Sequence, residues 1–267
     1  MPSGGRYDKI YRIMEKNFLI KIAYDGSCFS GWQRQPDKRT VQGTLEEALK
    51  VFTGTEIKLN GTSRTDAGVH ALGQCASFKG DFGIPADGLM RAVNNLLAGG
   101  MNKKNPVGDC EILSIDEMPM DFHARFDCKG KTYRYVIYSG EKDIFRRNYA
   151  YWMPQLPDVE RMREAAAYLL GTHDFAAFQS SGGNERETTV RTISDVKIME
   201  NDGDIWIEVS GDGFLYNMVR IIAGPLAEIG TGKKKPAEMK EIIESLDRAR
   251  AGHTAPAEGL YLKEIYF

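Results

Sequence analysis

The sequence has few of the residues that build metal sites and disulfide frameworks. Its 267 residues include only 4 cysteines and 4 histidines. No two cysteines have the C-x-x-C spacing, and no histidine pair has the H-x-x-x-H spacing of a helix-borne metal site. We therefore expect reduced thiols and no structural metal site.

A long apolar run is also missing. The sequence has no stretch of about 18 apolar residues, the length that a membrane-spanning helix needs. The segment before Lys16 is polar and charged, without the apolar core of a signal peptide. These absences predict no membrane span and favour a cytoplasmic location.

Neither sign of charge is in marked excess. The formal net charge is -2, with a pI of about 6.1. Nucleic-acid-binding domains are usually basic, so an RNA partner would require basic side chains gathered on one face. Hydrophobic residues make up 42% of the chain, which is enough for a core and excludes general disorder. The length fits one large domain or two ordinary ones.

Residues 18–118 have the pattern of one α+β unit, preceded by an arm over residues 1–17. Phe18, Ile20 and Ile22 alternate with less apolar residues and predict a strand. The complete order is strand, helix, strand, strand, helix, strand, as in a ferredoxin-like unit. The predicted strands cover residues 18–24, 56–59, 74–78 and 110–117, and the predicted helices cover residues 41–52 and 86–97.

Residues 119–267 repeat this order, although no residue-level repeat is visible. Asn201-Asp202-Gly203 predicts the turn of a hairpin. We predict an α+β fold of two ferredoxin-like halves related by pseudo-twofold duplication, with a central mixed or antiparallel sheet, helices on one side and a cleft between the halves. The predicted strands cover residues 131–138, 192–199, 204–210 and 260–267, and the predicted helices cover 159–169, a segment from about 216 with a kink at 225, and a segment from 236.

The segment from Gly61 to Ala71 is small, polar and turn-forming, and it lies between two predicted strands. It carries Arg64 and Asp66 two residues apart, which places both on one face if the segment is extended. A carboxylate beside a cation on such a loop is a candidate nucleophile or acid–base group. The competing structural interpretation is an Asx turn in which Asp66 bonds its own backbone.

Aromatic residues and a cation also alternate in residues 27–35. Trp32 and Arg34 are candidates for stacking on a base and for pairing with phosphate. The structural alternative is that these loop side chains fold onto the domain.

The run Arg64-Thr65-Asp66-Ala67-Gly68-Val69-His70-Ala71 resembles the signature of the tRNA pseudouridine synthase A family. The similarity extends over most of the chain from about residue 18, with 61–63 replacing a more compact lead-in. It implies isomerisation of uridine to pseudouridine at positions 38, 39 and 40 of the tRNA anticodon stem-loop, without metal or cofactor.

The resemblance also carries roles onto single residues. Asp66 matches the catalytic nucleophile, and Tyr133 matches the tyrosine that stacks on the target base and is a candidate for proton removal from C5. Arg220 matches the basic residue that pairs with the carboxylate, which would keep Asp66 ionised and oriented. Arg64 is placed to fill the gap left by the extruded base. We expect His70 to be structural.

A homodimer with one tRNA touching both protomers is a further implication. It would allow a near-neutral chain to present a shared basic cleft. The candidate cations are Arg34, Arg64, Arg91, Arg125, Arg146, Arg147, Arg186 and Arg191.

Two other functions compete with this one. A non-catalytic RNA-binding module of ferredoxin-like units would bind RNA tightly whatever residue replaced Asp66. An enzyme acting on a small molecule through Asp66 would show no salt-sensitive RNA binding. A nucleotide-dependent enzyme is disfavoured, since no phosphate loop or G-x-G-x-x-G motif is present.

Overall fold

A computed structural model describes residues 15–99, 108–182 and 188–267. Most of the predicted arm over residues 1–17 lies outside these ranges. The described strands are β1 (Lys16–Tyr24), β2 (Asn60–Gly61), β3 (His70–Gly80), β4 (Cys110–Met118), β5 (Gly130–Ser139), β6 (Tyr151–Met153), β7 (Gly171–Asp174), β8 (Val190–Asn201), β9 (Asp204–Gly211) and β10 (Leu260–Tyr266). The described α-helices are α1 (Val41–Thr53), α2 (Ala86–Leu97), α3 (Val159–Ala166), α4 (Met218–Gly230) and α5 (Glu238–Ser245).

These strands form a single sheet that runs through both parts of the chain. The order is β4-β1-β3-β10-β5-β9-β8-β7, with β2 added to β3 and β6 added to β5. Strand β10 is parallel to β3 and β6 is parallel to β5, while the other pairs are antiparallel. The prediction of an α+β fold with a central mixed sheet is therefore confirmed. The N-terminal strands β1–β4 meet the C-terminal strands β5–β10 where β3 pairs with β10.

One face of the sheet carries the main apolar core. Tyr133, Tyr135 and Ile137 of β5 alternate along the strand and join this core, to which the helices add residues such as Leu45 and Leu89. The intervening residues Val136 and Tyr138 belong to a much smaller cluster on the opposite face. The helices therefore pack against the same face from which Tyr133 projects.

Local sequence signals explain several boundaries. Helix α1 begins after Thr40, whose side chain accepts a hydrogen bond from the Gly43 amide, and ends at Gly54 with φ of 72°. The turn between β8 and β9 has positive φ at Asp202 (48°) and Gly203 (83°), as a two-residue hairpin turn requires. The predicted hairpin is confirmed.

Other details of the sequence prediction were wrong. Residues 56–59 are not a strand: the Leu59 amide donates to the Glu46 carboxylate of α1 instead of to a neighbouring strand. The strand next to this segment is the two-residue β2. Strand β3 begins at residue 70, directly after the buried loop, and not at the predicted residue 74. The short strands β6 and β7 were missed, since three or four residues show no clear alternation. The predicted helix that contains Pro225 is present: it is α4, which continues beyond this proline to Gly230.

None of the described helices is long and apolar enough to span a membrane.

Candidate active site

A cleft of about 680 Å³ opens between two segments from different parts of the chain. One is the Asp66 loop (residues 62–69), which connects β2 to β3. The other is the α4 turn (residues 214–217), which precedes α4. Lys131 and Tyr133 of β5 also line the cleft. The pairing of β3 with β10, and of β10 with β5, brings these segments together.

Hydrogen bonds hold the Asp66 loop firmly. The Thr65 carbonyl accepts from the Trp32 amide (3.0 Å), and the Thr65 hydroxyl bonds the Tyr24 hydroxyl (2.7 Å). The Ser63 carbonyl accepts from the Gln74 side-chain amide (2.8 Å). Because Thr65 and Ser63 are buried, these bonds satisfy polar groups that water does not reach.

The Asp66 carboxylate differs from these neighbours because it has no hydrogen-bond partner among the described residues. No bond from this side chain to its own backbone is present, so the Asx-turn interpretation does not fit the structure. Burial raises the pKa of Asp66 above its ordinary value, and the positive charge of Arg220 acts in the opposite direction. The loop thus presents a half-buried carboxylate with free lone pairs to the cleft.

Arg220 lies in the first turn of α4 and is held by two hydrogen bonds. Its Nε donates to the Ala255 carbonyl (2.8 Å), and its Nη1 donates to the Asn217 side-chain oxygen (2.8 Å). Asn217 adopts a left-handed conformation with φ of 61°, which an asparagine tolerates. Arg220 forms no direct ion pair with Asp66 and acts on it through space. The predicted pairing therefore takes the form of a fixed nearby charge.

Tyr133 is 8% exposed, and its ring meets Phe214 edge to face at 5.2 Å between centroids. Burial raises the pKa of Tyr133 to about 12, while a hydrogen bond from the Ser63 side chain and the Asp66 charge have smaller effects. The hydroxyl is therefore neutral at pH 7. Asp66 and Tyr133 thus line one cleft, and Arg220 of α4 lies close enough for its charge to act on Asp66.

Comparison with known proteins shows the family of this chain. The family model described as tRNA pseudouridine synthase matches residues 20–127 and 165–267. The chain belongs to this family. The resemblance seen in the Asp66 loop is thereby confirmed.

Three curated relatives extend the match over nearly the whole chain. A tRNA pseudouridine synthase A of Acetivibrio thermocellus is 49% identical over 253 residues, covering 94% of this chain and 100% of the relative. Clostridium tetani has a tRNA pseudouridine synthase A 2 that is 47% identical, covering 95% and 100%. A third relative, from Caldicellulosiruptor bescii, is 44% identical, covering 94% and 100%. Among solved structures, a Cbf5-Nop10-Gar1 complex matches 79% of this chain and 54% of its own, at 12% identity and a TM-score of 0.32, a likeness too remote to support an argument.

Besides Tyr133, two of the predicted RNA contacts lie at the cleft. Arg64 and Arg125 are exposed and line it. Arg64 has no hydrogen bond or ion pair with any residue in the described ranges. The Arg64 guanidinium is therefore available to an anionic ligand, while that of Arg125 lies over the Phe126 ring, 6.0 Å from its centroid.

Trp32 and Arg34 are not at the cleft. Trp32 is 2% exposed and packs against Tyr24, with 6.2 Å between ring centroids, and against Gly61, where an added Cβ would lie 2.4 Å from the indole nitrogen. The predicted stacking role does not fit this burial, and Trp32 is instead a core residue. Arg34 forms an ion pair with Glu46 (2.9 Å) and borders a separate cavity beside α1.

The other arginines predicted to share the basic cleft do not line it in the described structure. Arg146 pairs with Asp204, and Arg147 donates to the Ile144 carbonyl. Arg91 is on α2, Arg191 is on β8 with partners of its own, and Arg186 lies outside the described residues.

Sequence reasoning missed Lys131, Ser63 and Asn217. Lys131 precedes Tyr133 by two positions on one strand, so the period of the strand could have placed both in the cleft. Its Nζ donates to the Ser63 hydroxyl (2.9 Å). Nothing in the sequence indicated that Asn217 would bond Arg220. Among the described residues, no group of three or more His, Cys, Asp or Glu side chains is placed to bind a metal ion.

Proposed function

We propose that this protein converts uridine to pseudouridine in tRNA, at positions 38, 39 and 40 of the anticodon stem-loop. The observation that carries the proposal is the Asp66 carboxylate, unbonded in the described structure and facing a cleft large enough for a nucleotide. The names of full-length relatives support tRNA as the substrate. The reaction is an isomerisation: the bond from C1′ to N1 breaks, a bond from C1′ to C5 forms, C5 loses a proton and N1 gains one.

Asp66 is the proposed nucleophile or ion-pair partner in this exchange. Its lone pairs are not engaged by protein donors, so no hydrogen bond is lost when the carboxylate approaches C1′ or the base. Arg220 favours the ionised form that the reaction needs and opposes the effect of burial. Because its guanidinium is already fixed by Ala255 and Asn217, no reorganisation is needed during the reaction.

Tyr133 is proposed to contact the target base. Its ring lines the cleft beside Phe214, which suits stacking on an extruded uracil. With a pKa of about 12, its hydroxyl is a hydrogen-bond donor at pH 7. Removal of the C5 proton by this oxygen would require the phenol to give up its own proton first.

We also propose the finer fold assignment, with two ferredoxin-like halves over residues 18–118 and 119–267. Two strand orders support it: β4-β1-β3-β2 in the first half and β10-β5-β9-β8 in the second. Each order lists fourth, first, third and second strand of its half, counting the strands that bracket the helices. The cleft then lies between two related units.

A cytoplasmic homodimer that shares each tRNA between protomers completes the proposal. The support is the small number of cations at the cleft: Arg64, Arg125 and Lys131 line it in the described structure. An anticodon stem-loop carries many more phosphates than these residues can neutralise, so contacts from a second protomer would add affinity. Sedimentation equilibrium with and without tRNA tests the stoichiometry.

The deciding experiment measures tritium release from C5-tritiated uridine in a tRNA transcript. We expect release by the wild-type protein and none by Asp66→Ala, because the carboxylate is lost. The matched control is Asp37→Asn, which changes an exposed aspartate of positive φ that does not line the cleft. Equal release by wild type and Asp66→Ala would remove Asp66 from the mechanism.

The same preparation separates the competing functions. RNA binding in low salt without any tritium release would favour the binding module, and Asp66→Ala would then bind as well as the wild type. Absence of both release and salt-sensitive binding would favour an enzyme that acts on a small molecule.

A further inference from the structure

His70 lies directly after the Asp66 loop, at the first position of β3, and is 2% exposed. The family chemistry gives this side chain no task. Its surroundings nevertheless include residues from both parts of the chain, and both ring nitrogens are bonded.

The first contact of His70 stays within the N-terminal part. The Gly26 amide donates to Nδ1 (3.1 Å), so this nitrogen carries no proton. At the same place Gly26 lies so close to the loop that an added Cβ would be 2.0 Å from the Val69 carbonyl oxygen. Residues 24–32 therefore pack against one side of the Asp66 loop.

The other contacts of His70 reach the C-terminal part. With Nδ1 as an acceptor, Nε2 carries the proton and donates to the Asn148 carbonyl (2.8 Å). The imidazole also stacks on Tyr261 of β10, with 4.6 Å between centroids and 21° between planes. The His70 side chain, directly after the Asp66 loop, thus contacts Gly26 on the N-terminal side and both Asn148 and Tyr261 of β10 on the C-terminal side.

These contacts of His70 lie at the β3–β10 joint, where the N-terminal strands pair with the C-terminal strands. The parallel pairing of β3 with β10 has only two register positions, His70 with Tyr261 and Ala71 with Leu262. Asp66 belongs to the N-terminal side of this joint, whereas Arg220 and Tyr133 belong to the C-terminal side. A change at the joint would therefore alter the distance between the carboxylate and the groups that act on it.

We propose that His70 is a positioning residue that fastens the two sides of the β3–β10 joint and so fixes Asp66 against Arg220 and Tyr133. The inference rests on the proposed function in that Asp66 is the reactive group. Its electrostatic consequence is specific. If the joint loosens, Arg220 acts less on Asp66, and the pKa that burial has already raised rises further.

The charges near both groups are few. Asp25 (3.3 Å from Nδ1) and Glu258 face His70, and burial holds the pKa of its ring below the ordinary value. Asp66 faces Arg220 of α4 and Tyr133 of β5, and Arg64 belongs to its own loop. An altered titration of Asp66 in a His70 variant would therefore report on these neighbours.

Three variants distinguish the contact of His70 with Gly26 from its contact with Asn148. His70→Gln places an amide near the position of Nε2 and keeps a donor for Asn148. His70→Asn places its side-chain oxygen near Nδ1 and keeps the acceptor for Gly26, and His70→Ala removes both. The matched control is His173→Ala, whose ring bonds the nearby Leu170 carbonyl (2.8 Å) and meets Phe175 edge to face among the described residues. The Tyr149 hydroxyl donates to Asp25 (2.7 Å) across the same joint, and none of the His70 variants changes either of these residues.

The measurements are kcat and KM from tritium release over a range of pH, and the pKa of Asp66 by NMR of protein labelled with 13C at the aspartate carboxyl carbon. The Asp66 signal is identified from its absence in Asp66→Asn. We expect kcat to fall about tenfold or more in His70→Asn and His70→Ala with little change in KM, as a small misplacement of reacting groups does. In these two variants the acid limb of the profile of kcat against pH should move to higher pH, and the pKa of Asp66 should rise. His70→Gln and His173→Ala should resemble the wild type.

Two results would overturn the inference. One is activity kept by His70→Asn and lost by His70→Gln, which would make the Gly26 contact the important one. The other is an Asp66 pKa that is the same in all variants. If the wild type releases no tritium, the proposed function fails, but the NMR titration still decides whether His70 positions Asp66.

Discussion

The two walls of the cleft treat their charged side chains in opposite ways. In the Asp66 loop the neighbours of the charged residue are bonded, through Thr65 to Tyr24 and through Ser63 to Gln74, while the carboxylate has no donor in the described structure. At the start of α4, beside the α4 turn, the charged group itself is bonded: the Arg220 guanidinium donates to the Ala255 carbonyl and to the side-chain oxygen of Asn217.

This difference fits the work expected of each group. A carboxylate that forms and breaks a bond would have to lose any hydrogen bond that it made beforehand, at a cost to the transition state. A cation that only stabilises charge is most effective when it is already fixed. The loop therefore holds the backbone of Asp66 in place, and the turn holds a charge in place.

The substitution expected to change this contrast most is Arg220→Met, which removes the fixed positive charge. We expect kcat/KM to fall about 100-fold at pH 7, a size typical of the loss of one preorganised electrostatic contact. The acid limb should move to higher pH, because Asp66 then loses the one influence that lowers its pKa. Kinetics of tritium release between pH 5 and pH 9 provide the measurement. Arg220→Lys keeps the charge without the two-pronged bonding and should lie between the two; an acid limb that does not move in Arg220→Met would contradict the electrostatic role.

A second substitution removes a hydrogen bond that holds the Asp66 loop and leaves the Asp66 carboxylate unchanged. Thr65→Val keeps the shape of the side chain and removes the buried hydroxyl pair with Tyr24 (2.7 Å). We expect a loss of about 1–3 kcal/mol in the free energy of unfolding, since the buried Tyr24 hydroxyl loses its hydrogen bond with Thr65. Urea unfolding gives the value.

The control for that loss is Thr53→Val, whose hydroxyl bonds the Leu49 carbonyl at the partly exposed end of α1. It should cost clearly less. A double-mutant cycle with Tyr24→Phe isolates the pair, and additive effects in that cycle would show that the two hydroxyls do not stabilise each other.

Asp66→Asn sharpens the comparison, because activity and stability should change in opposite directions. The pKa of Asp66 is raised in the folded protein, so the ionised carboxylate destabilises the fold once the pH exceeds the ordinary value. The neutral amide removes this cost, and we expect the melting temperature at pH 7 to rise by about 1–3 °C. The gain should vanish near pH 4, about the ordinary pKa of an aspartate, where the wild-type carboxyl is also protonated. A lower melting temperature for Asp66→Asn at pH 7 would show that the carboxylate is stabilised in a way that the structure does not reveal.

The smallest expected effect concerns the exposed cations of the rim. Arg125→Ala should weaken tRNA binding several-fold in low salt and reduce the slope of log affinity against log salt by about one, since one phosphate contact is lost. Filter binding at four salt concentrations measures this slope. Arg163→Ala is the control, because Arg163 pairs with Glu160 on α3, away from the cleft. An unchanged slope in Arg125→Ala would place the RNA elsewhere.

Much of the fold could be predicted from the sequence because its signals are local. The alternation in β1, the apolar spacing of α1 with Gly54 behind it, and the Asn201-Asp202-Gly203 turn each depend on a few neighbouring residues. Residues 56–59 were misassigned as a strand because Ile57 and Leu59 are buried without being paired in the sheet. Burial and strand pairing look the same in the hydrophobic pattern.

The sequence by itself determined the family, and its resemblance to that family singled out the Asp66 loop as the proposed reactive segment. Eight consecutive residues around Asp66 carry that information, and the relatives agree over nearly the full length. The tertiary structure decided what the loop faces. Trp32, which a stacking pattern placed with RNA, is in the core, whereas Lys131 and Asn217 enter the cleft. The reason is that sequence spacing fixes which face of its own element a side chain occupies, while its partners across the cleft depend on the register with which β10 joins β3 and β5.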